Sequence, residues 1–176
     1  PYENIRDFYV SKRQTGAARE IVHFDLVYIT WLCGFPKTLT SLITNSKTLG
    51  VDIDDVYSVL YQTDENVQVT FTIDVVSRFS YRDTRLIFSE GNLTIDNVNG
   101  SLSLFDGKTM QGQVIKRDSL AQTFSREEMY VLEMKAFLDA TNGKRPFPYS
   151  LKDDRRILKI LRAVEESFDQ KSIINV

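Results

Sequence analysis

Midway along the chain the spacing of apolar residues changes from about 3.6 to 2. Between positions 67 and 75, Val67, Val69, Phe71, Ile73 and Val75 alternate with Gln68, Thr70, Thr72 and Asp74, so an extended segment here has one apolar and one polar face. Such a strand must pair laterally and cover its apolar face, which commits the region to a sheet backed by a second layer. Shorter runs, TLTSLITN, DVYSVLYQT, TRLIFSE, NLTIDNV and SLSLF, are separated by turn signals such as Glu90-Gly91, Asn99-Gly100 and Asp106-Gly107. Connections this short join antiparallel neighbours. From Val56 to Tyr61, Tyr57, Val59 and Tyr61 share one face, and Val56 and Leu60 the other. One face is expected to meet helices and the other another subunit.

Helical periodicity brackets this region. Ile5, Phe8 and Tyr9 predict a short amphipathic helix within 2–12. The apolar series Ile21, Val22, Phe24, Leu26, Val27, Ile29, Trp31 and Leu32 predicts a second helix over 17–33, buried on most sides and ended by Gly34 and Pro36. Two capping boxes, Ser125 to Glu128 and Ser150 to Asp153, announce two closing helices. Their inner stripes are expected to be Tyr130, Met134 and Phe137 in the first, and Ile157, Ile160, Leu161 and Val164 in the second. Two helices, six or seven strands and two helices make an α+β domain with a predominantly antiparallel open sheet and helices on one face. No linker or repeat interrupts the 176 residues, so 1–176 reads as a single domain.

Several functions are disfavoured by what the sequence lacks. It has no GxGxxG, GxxxxGK[ST], CxxC, HExxH or GxSxG, the usual supports of nucleotide phosphates, zinc and a nucleophilic serine. A net charge of −2 lacks the cationic excess that nucleic acid requires. Its longest apolar stretches are too short to span a bilayer, and no signal peptide opens it, so no membrane association and a cytoplasmic location are expected. Cys33, the single cysteine, reads as a structural thiol in ITWLCGF. No pair of carboxylates suggests a glycosidase.

The one histidine, His23, lies within the second helix. At 100° per residue Arg19, His23 and Thr30 fall within about 40° of one another, with Glu20 some 60° beyond His23. This polar stripe either satisfies itself internally or opens onto a cleft. Asp25 points about 160° away from His23 and needs another partner. Arg78, Tyr81 and Arg82 gather in SRFSYRDTR, where cationic and phenolic groups can hold a hydroxyl, carboxylate or phosphate.

Three segments, FYVSKRQTGAAREIVHFDLVYITWLCG, DVVSRFSYRDTRLIFSEGNLTID and SREEMYVLEMKAFLDATNGKRPFPYSLKDDRRILKILRAVEES, together resemble the C-terminal half of the Gfo/Idh/MocA family of NAD(P)-dependent oxidoreductases, with a dihydrodipicolinate-reductase-like sheet. The resemblance runs over nearly the whole sequence and is nearer the branch acting on nucleotide-linked or cell-surface sugars. It implies a substrate-binding and oligomerisation domain of a sugar oxidoreductase whose N-terminal Rossmann domain lies outside this chain. NAD or NADP would then be bound mainly by that domain, with no cofactor expected in this chain, and the missing GxGxxG follows. It further implies a sugar or nucleotide-sugar substrate, homo-oligomerisation through the open sheet face, His23 as the catalytic proton carrier, and Tyr9, Lys12, Arg19, Glu20 and Arg82 as substrate contacts. The sequence departs from the family where an acidic residue usually stands four before the histidine and an aspartate three after it. Arg19 and Leu26 occupy those places, with Glu20 and Asp25 displaced by one. The alternative is a non-catalytic carbohydrate-binding or dimerisation module, in which Arg19, Glu20 and His23 are buried and paired internally.

Overall fold

The computed structural model describes residues 4–79, 81–116 and 126–176. They form two compact units, one made of the chain up to Val76 and from Tyr149 onward, the other of Ser77–Pro148. The expected α+β class with antiparallel strands is observed, but the strands divide between two four-stranded sheets.

In the first unit, helix α1 (Ala17–Cys33) precedes strands β1 (Pro36–Thr44), β2 (Val56–Thr63) and β3 (Gln68–Asp74). Strand β8 (Ile174–Asn175) adds to the free side of β1, giving the order β3-β2-β1-β8. Register opposes Leu39 to Tyr61, Ser41 to Val59 and Ile43 to Tyr57, so these six share the face turned to the helices, and all are buried. The opposite face presents Leu42 and Leu60 to solvent. The last helix, designated α3 (Leu151–Gln170) with α2 in the second unit, buries Ile157, Ile160, Leu161 and Val164, the stripe the sequence predicts. Ser150 caps it: the Asp153 backbone N–H donates to Ser150 Oγ at 3.2 Å, and the Ser150 N–H donates back to Asp153 Oδ2 at 3.2 Å.

Helix α1 is buried along a single stripe, Ala18, Val22, Leu26 and Thr30, rather than on most sides, and Phe24 and Trp31 are exposed. Leaning on the sheet and on α3, it has only one apolar contact face. Gly34 ends it at φ +93°, a conformation that favours glycine, and its carbonyl accepts from the Tyr61 hydroxyl at 3.0 Å. The expected N-terminal helix is instead three single 3₁₀ turns, Ile5–Asp7, Tyr9–Ser11 and Arg13–Thr15. Side chains compete with helical bonding here: Asn4 Oδ1 accepts from Arg6 N, while Ser11 Oγ and Thr15 Oγ1 donate to the Phe8 and Tyr9 carbonyls.

The second unit holds β4 (Asp83–Phe88), β5 (Gly91–Asp96), β6 (Ser101–Asp106) and β7 (Gln111–Lys116), paired in sequence order, and helix α2 (Arg126–Thr141). Gly91 is required at its turn, because a Cβ there would lie 2.2 Å from the Phe105 carbonyl oxygen. Tyr130, Met134 and Phe137, read from sequence as the inner stripe of α2, are exposed, as are Met129, Val131 and Leu138 around the same helix. Ser125 of the first capping box lies outside the described residues.

Candidate functional site

The polar stripe of α1 meets a different partner at each position. Glu20, in the first turn, receives the Tyr9 hydroxyl at 3.1 and 2.9 Å from its two carboxylate oxygens, and that bond raises the pKa of the phenol. Arg19 forms a two-pronged ion pair with Glu165 on α3 and also donates to the Gln14 carbonyl at 3.1 Å. The Glu165 carboxylate raises the pKa of the guanidinium. Thr30 turns inward and returns its hydroxyl to the Leu26 carbonyl at 2.7 Å.

His23 is half-buried, and its Nε2 stands 3.3 Å from Asp154 Oδ1 at the start of α3. The atoms are close enough for a hydrogen bond but misaligned, which leaves Nε2 buried and unsatisfied. Asp154 Oδ1 also accepts from the Tyr149 hydroxyl at 3.2 Å. Burial, with that bond second, pushes the Tyr149 pKa up to about 12, so the phenol stays protonated. Asp154 lies four residues past the N-cap Ser150, near the positive end of the α3 dipole, which favours a carboxylate there. His23, Asp154 and Tyr149 therefore form a contiguous chain that couples α1 to α3.

A cavity of about 550 Å³ opens beside this stripe, lined by Arg13, Arg19, Asp54, Tyr57 and Glu165 among others. Within it Arg13 meets Asp54 at 2.9 and 2.7 Å and Arg19 meets Glu165, and the Asp169 carboxylate also lines it. Lys12 is exposed in the segment entering α1. Arg82 is exposed in the second unit, where its carbonyl accepts from Asn97 N at 3.0 Å. The structure thus joins Tyr9 to Glu20 directly and places Arg19 and His23 on the same helix. A broader concavity of about 770 Å³ lies on the second sheet, near Arg85, Asn92, Thr94 and Ser103, and includes none of the residues singled out in the sequence. Among the described residues no cluster of His, Cys, Asp or Glu could hold a metal ion, and no helix is long and apolar enough to cross a membrane.

Sequence reasoning missed Tyr149, Asp154 and Glu165. Of these only Asp154 lies in the charged run KDDRRILKILR, which reads as a solvated helix face.

No protein-family profile and no curated protein sequence matches the chain. Solved structures do. A levoglucosan dehydrogenase in complex with NADH superposes with a TM-score of 0.80 at 14% identity, covering 99% of this chain and 55% of that one. An oxidoreductase from Agrobacterium radiobacter, in complex with NAD+, L-tartaric acid and magnesium, matches with a TM-score of 0.72 at 13% identity, over 87% and 47%. The chain has the fold of about half of each of these oxidoreductases. UDP-N-acetylglucosamine 3-dehydrogenase from Acidithiobacillus ferrooxidans matches with a TM-score of 0.65 at 18% identity, over 85% and 46%. This chain spans about half the length of each. The α+β antiparallel expectation and the resemblance drawn from sequence agree with this fold.

Proposed function

We propose that this chain is the substrate-binding part of an NAD(P)-dependent oxidoreductase acting on a sugar or nucleotide-linked sugar in the cytoplasm, completed by a Rossmann domain of the same polypeptide. The observation that carries the reading is the agreement of fold over most of the chain with about half of each of two dehydrogenases, combined with a single histidine set on a helix beside a carboxylate. The chain lacks a glycine-rich phosphate turn, so the cofactor is held elsewhere. Nicotinamide, when bound there, would supply the hydride chemistry at the carbinol carbon.

His23 exchanges the accompanying proton with the substrate hydroxyl. Tyr9 and Glu20, already joined, offer acceptor and donor groups to neighbouring sugar hydroxyls. Arg19, tied to Glu165, forms a fixed wall of the pocket, and Lys12 supplies a cation for an anionic substituent such as a diphosphate; Arg82, in the second unit, is a substrate contact on the family resemblance alone. The open face of β3-β2-β1-β8, with Leu42 and Leu60 exposed, joins subunits, and 1–176 acts as one substrate domain.

The test is sugar-dependent reduction of NAD(P)+ by the polypeptide carrying both regions. His23→Asn is expected to lower the rate at least about 100-fold, as removal of a positioned proton carrier does, with its circular dichroism unchanged. Micromolar NAD(P)H binding by this chain alone would defeat the assignment. A non-catalytic module is the competing reading, favoured by the internal pairing of Arg19 with Glu165 and of Glu20 with Tyr9. It predicts that His23→Asn leaves turnover unchanged.

A further inference from the structure

We infer that Asp154, held by Tyr149, positions His23 by accepting its Nε2–H, so that Nδ1 is the nitrogen that faces the substrate and exchanges the proton. The inference rests on the proposed role of His23 and adds which residue orients it and which nitrogen works. Its basis is the geometry at the start of α3. Nε2 is buried, lacks a hydrogen bond, and lies 3.3 Å from a single carboxylate oxygen. Leaving a buried donor unsatisfied is costly, and a small rotation of either side chain aligns the pair. Contacts of this kind are often long without substrate and tighten when it binds.

A neutral imidazole carries one N–H and one lone pair, and the partner of one nitrogen decides the state of the other. A carboxylate accepts and cannot donate, so its approach to Nε2 places the proton there and the lone pair on Nδ1. Tyr149 completes the arrangement from the other side. Its hydroxyl, 3.2 Å from the same oxygen, remains protonated and limits the rotamers open to Asp154. The Ser150 cap fixes the backbone of that turn. Helix α1 does not supply this carboxylate: Glu20, three residues before His23, is taken up by the Tyr9 hydroxyl, Arg19 is cationic, and Asp25 lies on another side of the helix.

The balance of the step is simple. In the oxidative direction the substrate O–H bond breaks and Nδ1 takes the proton to give imidazolium, while the hydride from the carbon would go to the nicotinamide that the cofactor region holds. Asp154 stays a carboxylate throughout and is a positioning residue.

With one histidine in the sequence, a long-range nitrogen–proton correlation spectrum of the labelled chain contains one imidazole and reads its tautomer directly. Wild type is expected as Nε2–H, Asp154→Ala as a mixture shifted toward Nδ1–H, and Asp154→Glu as restored in part. In the polypeptide that carries the cofactor region, Asp154→Ala should lower kcat about 10- to 100-fold, the usual effect of losing a group that orients a working imidazole, with KM little changed. Tyr149→Phe should keep the Nε2–H tautomer and lose only a few-fold in kcat. An Nδ1–H tautomer in wild type, or a tautomer indifferent to Asp154→Ala, overturns the inference. If the tautomer behaves as stated but His23→Asn leaves turnover intact, the functional reading fails, and with it the positioning role in turnover.

Discussion

The direction in which α1 faces decides which side chains reach the site, and truncation at neighbouring positions tests it. Leu26 is 0% exposed in the stripe with Ala18, Val22 and Thr30, whereas Phe24, two residues earlier, is 62% exposed. Replacing a wholly buried leucine by alanine removes three carbons from a packed interface between α1, the sheet and α3. Such changes cost about 2–5 kcal/mol, depending on how far the surroundings close over the cavity. Phe24→Ala removes a larger side chain that is mostly in water, and should cost no more than about 0.5 kcal/mol. Urea unfolding of the two variants, read as midpoint shifts at constant slope, gives both numbers. His23 lies between Val22 and Phe24, so a roll of α1 that buried Phe24 would turn the imidazole away from Asp154. If Phe24→Ala costs as much as Leu26→Ala, the orientation described for α1 is wrong and the His23–Asp154–Tyr149 chain falls with it.

Ser150→Ala removes the side-chain half of the α3 capping box and should destabilise the chain by about 1 kcal/mol in thermal or urea unfolding. Tyr61→Phe deletes the bond to the Gly34 carbonyl and should cost about 1 kcal/mol in the same assay. Hydrogen bonds from Ser150, side chain first, hold the Asp153 carboxyl below its ordinary value. A depressed carboxyl stabilises fully above its unfolded value near 4 and loses that contribution as the pH falls through the lower folded value. The stability gap between wild type and Asp153→Asn should therefore shrink below about pH 4 in pH-dependent unfolding; a constant gap would refute the cap's ionic part. Trp31, the single tryptophan, is exposed in this chain, so its emission should be that of a hydrated indole and readily quenched by acrylamide.

Much of the fold was legible because its signals are local. The alternation in 67–75, the glycine turns and the Ser150 box each fix an element from residues within a few positions of one another, and β3, β5 and α3 appear where they point. Strand β7 escaped notice because Gln111, Gly112 and Gln113 carry no alternation. It exists because its backbone completes a ladder with β6. The N-terminal turns were misread because the spacing of Ile5, Phe8 and Tyr9 suits a helix, while the nearby Asn, Ser and Thr oxygens that break it leave no mark on periodicity. In α2 the spacing of Tyr130, Met134 and Phe137 was real, but spacing does not say what, if anything, lies against a helix. The same boundary divides the site. His23, Arg19, Glu20 and Tyr9 could be grouped from one helix and its approach, whereas Asp154 and Glu165 come from a helix more than 120 positions later in the sequence, and only tertiary packing brings them near.

That separation governs how the molecule is made. The layer that receives α1 and the first three strands is finished only by α3, and Ser77–Pro148 is synthesised between them. Until the ribosome has released that intervening stretch, Leu39, Tyr57, Val59 and Tyr61 lack the helix that seals their side of the sheet, and the imidazole has no carboxylate beside it. The nascent chain therefore carries an unsealed greasy surface for longer than one whose neighbouring layers follow each other directly, which makes premature release or truncation within the intervening stretch a route to aggregation.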